Sequence, residues 1–127
     1  MQPLPVNLKP DALIAPAVIA GNFVFVSGNV GWEPETREAK VGIEAQTEQA
    51  FENLKSILKA AGTDFEHVVK VNIYLTNIDD FAAMNQVFRR YFPHNPPART
   101  TVGTVLARSD LLVEIEMVAL LPDASAS

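Results

Sequence analysis

The segment LLVEIEMVAL, residues 111–120, constrains the fold more than any other part of the chain. It is rich in β-strand formers, and successive side chains of a strand point to opposite faces. One face is then wholly apolar: Leu111, Val113, Ile115, Met117 and Ala119. The opposite face sets Glu114 and Glu116 among leucine and valine. This second face is too apolar for plain solvent and too charged for a closed core, so we expect another subunit to cover it.

Two segments carry the apolar stripe of an amphipathic helix, with apolar residues three or four positions apart. The first runs from residue 43 to residue 61 and is expected to end at Gly62, which tolerates a left-handed conformation. The second is capped by either Asn77 or Asp79. Its predicted buried stripe consists of Phe81, Met84, Phe88 and either Phe92 or Tyr91.

Three further segments are predicted to be strands: FVFVSG at 23–28, VVKVNIYL at 68–75 and RTTVGTVL at 99–106. The strand 68–75 is expected to have one apolar face and one mixed face. The apolar face is predicted to hold Val69, Val71, Ile73 and Leu75, and the mixed face Val68, Lys70, Asn72 and Tyr74. If the mixed face coincides with the face that carries Arg99 and Thr101, a buried polar cluster results.

The order strand, helix, strand, helix, strand, strand predicts an α+β fold with both helices packed on one face of a sheet. The length of 127 residues suits a single domain over the whole chain. Residues 1–10 and 122–127 are expected to be peripheral, with the tail after Pro122 frayed.

Composition disfavours several classes of function. The formal net charge is −5, which provides no basic field for a nucleic-acid backbone. The absence of cysteine excludes thiolate chemistry and suits a cytoplasmic protein. Residues 12–28 are the only candidate for a membrane segment or signal peptide, but Pro16 and Gly21 interrupt them. A loop or short strand followed by a buried strand is expected there instead. His67 and His94 are read as surface residues, and no metal site is predicted.

The stretch NPPARTTVG, residues 95–103, places Arg99 between two prolines and a β-branched run. The prolines fix φ and lack N–H groups, and the following residues favour an extended strand. Arg99 is therefore expected to be held rigidly at the entrance of a strand.

Six segments in register resemble the RidA/YjgF family of enamine and imine deaminases. They are SGNVG at 27–31, AQTEQAFENLKSILKAAG at 45–62, VVKVNIYL at 68–75, DFAAMNQVF at 80–88, PPARTTV at 96–102 and VEIEMVA at 113–119. The resemblance implies a chorismate-mutase-like fold with a mixed sheet, assembled as a homotrimer with ligand sites between subunits. It also implies hydrolysis of reactive imines such as 2-iminopropionate to 2-keto acids and ammonia, with no cofactor.

The resemblance assigns roles to particular positions. Arg99 would grip the substrate carboxylate through two parallel hydrogen bonds, and Glu114 would orient and partly deprotonate the attacking water. Glu116 is the alternative for that second role. The resemblance implies that the remaining candidates bind substrate: Ser27, Gly28, Asn85 and, through its backbone, Thr101.

The chain departs from the family pattern at three positions. Ile14 stands where the best-known deaminases carry a pocket tyrosine, Asn29 replaces a common glutamine, and Trp32 is unusual. These departures suggest a different or bulkier substrate and bring general deaminase activity into question.

Other interpretations stay open. The same cleft could hold a 2-keto acid without chemistry, as a metabolite-binding or regulatory protein. Endoribonuclease activity, described for some relatives, is less favoured by the acidic balance. Arg99 could instead pair with a carboxylate such as Glu114, and the two glutamates could form salt bridges between subunits.

Overall fold

The computed structural model describes residues 1–5 and 8–122. The tail predicted to fray, residues 123–127, lies outside the described residues. The helices and strands are β1 (Gln2–Leu4), β2 (Ala17–Ala20), β3 (Phe23–Val30), α1 (Ile43–Ala61), β4 (Val68–Leu75), α2 (Phe81–Tyr91), β5 (Ala98–Gly103) and β6 (Val113–Leu120). Short 3₁₀ turns at Phe65–His67 and Ile78–Asp80 lead into β4 and α2.

The strands form one six-stranded sheet in the order β1-β2-β3-β6-β4-β5. Neighbouring strands are antiparallel except β4 and β5, which are parallel. The predicted α+β fold, with a mixed sheet and two helices on one face, is confirmed.

The apolar stripes predicted from periodicity form the core between the helices and the sheet. From α1 the core takes Ala50, Phe51, Leu54 and Leu58, and from β6 it takes Val113, Ile115, Met117 and Ala119. Gly62 ends α1 with a φ of 88°, a left-handed conformation that disfavours a side chain. The prediction for the boundary of α1 is therefore confirmed.

The predicted faces of β4 are wrong at its first two residues. The register between β4 and β6 shifts between Val68 and Lys70. As a result Val68 is buried, while Val69 is 38% exposed. A bulge moves the alternation by one position, which reverses the faces of the residues on one side of it. From Val71 onward the predicted faces hold.

The buried stripe of α2 also differs from the prediction. Met84, Val87 and Phe88 are buried on the helix. Phe92 follows the helix and is buried, but Phe81 is 40% exposed, because it lies at the first turn and its ring faces the Arg99 guanidinium. Of the two predicted caps, Asn77 accepts a hydrogen bond from the Asp79 backbone N–H at 2.9 Å, at the start of the turn that leads into α2.

The predicted strand bounds were approximate. β3 continues to Val30, whereas β5 ends at Gly103, opposite Leu75 at the end of β4. The N-terminal residues are not wholly peripheral, because β1 pairs with β2 at the edge of the sheet. Residues 12–28 contain β2 and β3 as expected, and no helix within the described residues is long and apolar enough to cross a membrane.

Within residues 1–5 and 8–122, no layer covers the second face of the sheet. Phe25 on this face is 48% exposed and Val102 is 40% exposed. Glu114 and Glu116 lie among them, half-buried. We call this surface the open face.

Candidate functional site

Arg99 lies on the helix side of the sheet, one residue into β5. Its register partner is Val71, a core residue, and paired residues of neighbouring strands point to the same face. The Arg99 Nη1 atom donates a hydrogen bond to Asn85 Oδ1 on α2 at 2.8 Å. The centre of its guanidinium lies 4.7 Å from the ring centroid of Phe88 and 5.4 Å from that of Phe81. Asn85 and two aromatic rings therefore hold the guanidinium in place, as rigid positioning of Arg99 requires.

The charge of Arg99 has no acidic partner among residues 1–5 and 8–122, where no carboxylate lies within 4.0 Å of it. Burial lowers the pKa of Arg99 from its usual value, but an arginine remains protonated under ordinary conditions. The guanidinium is thus available to an external anion.

Arg99 borders a cleft of about 560 Å³, which we call the Arg99 cleft. This volume falls in the range typical of small-molecule sites. Its lining combines two arginines, an amide and apolar side chains: Asn85, Phe88, Arg89, Phe92, Pro93, Pro96 and Arg99.

Glu114 lies on the open face, where its β4 partner is Tyr74. Burial, and secondarily the negative charge of Glu116, raise the pKa of Glu114 above its usual value. A Cβ atom at Gly28 would come within 2.7 Å of Glu114 Oε2. The glycine therefore provides the space that the Glu114 carboxylate occupies.

Glu116 is already engaged within the chain. The Tyr74 hydroxyl donates a short hydrogen bond to Glu116 Oε1, and Asn72 Nδ2 donates to the same oxygen at 3.4 Å. The bond to Glu116 raises the pKa of Tyr74. No such donor contacts Glu114 among the residues that the structure describes, which favours Glu114 as the carboxylate free to bind water.

The predicted polar cluster does not form. Lys70, Asn72 and Tyr74 lie on the open face, because their partners on β6 are Val118, Glu116 and Glu114. Arg99 and Thr101 pair with core residues of β4 and lie on the helix side. The sequence could not decide this, because the faces depend on the register of two strands separated by a helix. Arg99 and Glu114 therefore neither pair nor meet within one chain.

Ser27 and Gly28 lie at an irregularity of β3, where the register with β6 shifts between Val26 and Asn29. Ser27 Oγ donates to the Ala15 carbonyl at 2.7 Å, so its hydroxyl fixes the segment before β2. Ser27 and Gly28 line a second cleft of about 490 Å³, the Ser27 cleft. Ile14, 72% exposed, borders the same cleft.

The Ser27 cleft also contains the other two departures from the family pattern. Asn29 and Trp32 both line it, and Arg37 lies with its guanidinium 5.6 Å from the Trp32 ring centroid. All three departures, Ile14 included, therefore border one cleft, beside the glycine that makes room for Glu114.

Thr101 contributes a buried hydroxyl that is unpaired among the described residues. Its Oγ1 atom is buried and makes no hydrogen bond to any residue within 1–5 and 8–122. An unpaired buried hydroxyl is costly, so an additional donor or acceptor such as water would be favoured there.

Two features of the surroundings of Arg99 were not predicted from the sequence. Phe81 and Phe88 are part of the predicted core stripe, yet both rings also contact the guanidinium of Arg99. Arg89 is not among the site residues predicted from the sequence, although it follows Asn85 by four residues and therefore shares its helix face. Among the described residues, no group of three or more histidine and acidic side chains could hold a metal ion.

Comparisons with known proteins agree on one family. Residues 7–121 match the family model described as endoribonuclease L-PSP. A relative from Dermatophagoides farinae named 2-iminobutanoate/2-iminopropanoate deaminase is 37% identical, and the match covers 92% of each chain.

Solved structures are similar over most of the chain. The crystal structure of RidA from an Antarctic Psychrobacter superposes with a TM-score of 0.82 at 38% identity and covers 94% of both chains. Escherichia coli TdcF with bound serine gives a TM-score of 0.81 at 29% identity, covering 87% of this chain and 90% of that one. The resemblance drawn from the six sequence segments is confirmed.

Proposed function

The chain belongs to the endoribonuclease L-PSP family, also called RidA/YjgF, and on that premise we propose that it hydrolyses reactive enamines and imines of 2-keto acids. The observation that carries this proposal is Arg99, a guanidinium held by Asn85 and two aromatic rings without an acidic partner among the described residues. Such a group is suited to bind a substrate carboxylate through two parallel hydrogen bonds. The D. farinae relative is named as a deaminase of two substrates of this class, 2-iminobutanoate and 2-iminopropanoate.

Glu114 supplies the second function that the reaction needs. Water adds to the imine carbon, forming a C–O bond, while the π electrons of the C=N bond move to nitrogen, which takes a proton. The carbinolamine then expels ammonia as its oxygen becomes the keto group and loses its proton. A carboxylate near the imine carbon accepts the proton from water and returns one to the departing nitrogen. The raised pKa of Glu114 makes it a better proton acceptor than an ordinary carboxylate.

A site that uses both residues is composed of two subunits in this proposal. Arg99 lies on the helix side of the sheet and Glu114 on the open face, so one chain cannot direct both at one substrate. A second chain covering the open face brings its own Arg99 toward Glu114. This is consistent with the exposed apolar side chains of that face, such as Phe25, and with the expected homotrimer.

The decisive experiment generates 2-iminopropionate in situ and traps the remaining imine with semicarbazide. We expect the wild-type protein to accelerate imine loss, and Arg99→Ala to abolish the acceleration. Arg99→Lys retains the charge but not the paired hydrogen bonds, and we expect it to lose most of the activity. Arg90→Gln, an exposed arginine of the same helix region that pairs with Glu48 at 4.0 Å, is the control that should retain full activity.

An Arg99→Ala protein that assembles normally and remains fully active would contradict the assigned mechanism. Size-exclusion chromatography and thermal unfolding of each variant separate loss of activity from loss of structure, because Arg99 also packs against Phe88.

A second function is favoured by one observation. Ile14 lines the Ser27 cleft at the position where the best-known deaminases have a tyrosine hydroxyl. A protein that lacks this hydroxyl could bind 2-keto acids without turnover, as a metabolite-binding protein. Calorimetry decides between the two functions, since tight binding of a 2-keto acid with no imine hydrolysis would favour the binding protein. Ribonuclease activity, suggested by the description of the family model, is disfavoured by the net charge of −5.

A further inference from the structure

The Arg99 cleft carries two positive charges. Arg89 lies on α2 four residues after Asn85, the residue that holds Arg99, and both arginines line the cleft. Residues four apart on a helix lie on the same face, so Arg89 faces the cleft for the same geometric reason as Asn85.

Neither arginine is paired with a carboxylate in the part of the chain that the structure describes. Within residues 1–5 and 8–122, no carboxylate lies within 4.0 Å of Arg89 or Arg99, although the chain has 15 acidic residues. The adjacent Arg90, by contrast, pairs with Glu48. Two positive charges that border one cleft attract anions to it, and a ligand with two negative groups compensates both.

The rest of the lining suits a short carbon chain. The apolar part of the lining consists of Phe88, Phe92, Pro93 and Pro96. A monocarboxylate that binds Arg99 would leave Arg89 without an anion. A dicarboxylate would place methylene groups against the apolar walls and its second carboxylate at Arg89.

We infer that Arg89 is a specificity-determining residue that binds the distal carboxylate of the ligand held by Arg99. The preferred substrates are then 2-imino dicarboxylic acids, and the products are 2-keto dicarboxylic acids. This inference rests on the proposed function, because it assigns the first carboxylate to Arg99.

The test uses two ligands of equal chain length, 2-oxoglutarate and 2-oxopentanoate, which differ only by a carboxylate in place of a methyl group. Titration calorimetry on the full-length protein should show 2-oxoglutarate binding about tenfold more tightly, the ratio expected for one exposed charge-assisted contact. Arg89→Gln should abolish this preference by weakening the binding of 2-oxoglutarate about tenfold. Arg90→Gln, its matched control, should retain the preference.

Turnover of the corresponding imines tests the inference independently. An amino-acid oxidase acting on glutamate or norvaline supplies 2-iminoglutarate or 2-iminopentanoate, and semicarbazide traps what remains. We expect the tenfold preference to appear in kcat/KM through KM, and to disappear in Arg89→Gln.

The outcomes separate the two proposals. If both imines are hydrolysed equally well, or if Arg89→Gln retains the preference for the dicarboxylate, the role of Arg89 is overturned while the deaminase function stands. If neither imine is hydrolysed but 2-oxoglutarate binding depends on Arg89, the deaminase proposal fails and the role of Arg89 is supported. If neither keto acid binds, the inference is overturned.

Discussion

Arg99 and Glu114 are prepared for their proposed roles by opposite physical means. Arg99 is held by a hydrogen bond to Asn85 and by contact with Phe81 and Phe88, which position the charge without neutralising it. Glu114 has no donor among the described residues, and burial together with the charge of Glu116 makes its ionised form less favourable. One group therefore remains charged and fixed, while the other is ready to accept a proton.

Substitution of Gly28 tests whether the Glu114 carboxylate must occupy its present position. In Gly28→Ala, the new Cβ would come within 2.7 Å of Glu114 Oε2, the far end of a flexible side chain. We expect the carboxylate to move, so that imine hydrolysis falls at least tenfold while the free energy of unfolding changes by less than about 1 kcal/mol. Assays of turnover and urea unfolding check this. Full activity in a folded Gly28→Ala protein would show that the reaction does not need the Glu114 carboxylate at its present position.

The pH profile tests the electrostatic coupling between the two glutamates. Glu114 must be ionised to accept a proton, so kcat/KM should fall on the acid side, at a pH above the usual range for a glutamate. Glu116→Gln removes the nearby negative charge and lowers the pKa of Glu114. We therefore expect the acid limb to move to lower pH. Because burial still raises that pKa, the shift should be partial.

The same raised pKa has a consequence for stability, with the opposite sign to an ion-paired carboxylate. The folded protein binds the Glu114 proton more tightly than the unfolded chain, so this group contributes stability as the pH falls through its folded-state pKa.

The control for the pH profile is Glu66→Gln, which removes an exposed carboxylate and should leave the acid limb of kcat/KM in place. If the acid limb does not move in Glu116→Gln either, a group other than Glu114 controls the rate.

Two buried polar side chains of α1, Gln46 and Asn53, join this helix to the segment before it and to the segment before β6. Gln46, 2% exposed, donates to the carbonyls of Lys40 and Asp110 at 3.0 and 2.8 Å. Its Oε1 atom accepts from the Leu112 N–H at 2.7 Å. Asn53 donates to the carbonyl of Trp32 at 3.0 Å. These bonds satisfy buried backbone groups and fix the segment that borders the Ser27 cleft.

Loss of the Gln46 amide should therefore lower the free energy of unfolding. Gln46→Leu has similar bulk but leaves one N–H and two carbonyls without their partner, and we expect the free energy of unfolding to fall by about 3 kcal/mol. Urea unfolding monitored by circular dichroism measures this change. Gln86→Leu, on the exposed face of α2, should change it by less than about 0.5 kcal/mol. Equal effects of the two substitutions would mean that the Gln46 bonds contribute little.

At the scale of the molecule, the sheet separates the two groups that the proposed reaction needs. The Arg99 cleft lies on the helix side and Glu114 on the open face, which exposes Phe25 and Val102. The same surface therefore exposes apolar area in one chain and carries the proposed proton acceptor. Covering it with a second chain would bury the apolar side chains and complete the site at once.

Complementation between inactive subunits tests this arrangement. Arg99→Ala and Glu114→Gln proteins should each be inactive, because each lacks one half of every site. After subunit exchange at equal concentrations, about a quarter of the interfaces between subunits should combine an intact Arg99 with an intact Glu114, and activity should recover to about a quarter of the wild-type value. Light scattering verifies the oligomer, and mass spectrometry verifies the exchange. Verified exchange without recovered activity would show that the site is not shared between subunits.

The helices, most strands and the family could be predicted from the sequence, because these depend on signals within single segments. The apolar stripe and Gly62 of α1 and the two-faced alternation of β6 were predicted and are confirmed. The six segments also identify the family, since each of them is a continuous stretch of the chain. The positions of Arg99 at the start of β5 and of Glu114 on the mixed face of β6 could likewise be predicted.

Which faces of the strands and helices meet could not be predicted from the sequence and depends on the packing of the folded chain. The parallel pairing of β4 with β5 placed Arg99 on the helix side, opposite to Lys70 and Glu114, and a register shift reversed the expected faces of Val68 and Val69. Register joins residues that are far apart in the chain, so no local pattern of side chains specifies it. For the same reason, no local pattern predicts that Arg89 of α2 and Arg99 of β5 line one cleft.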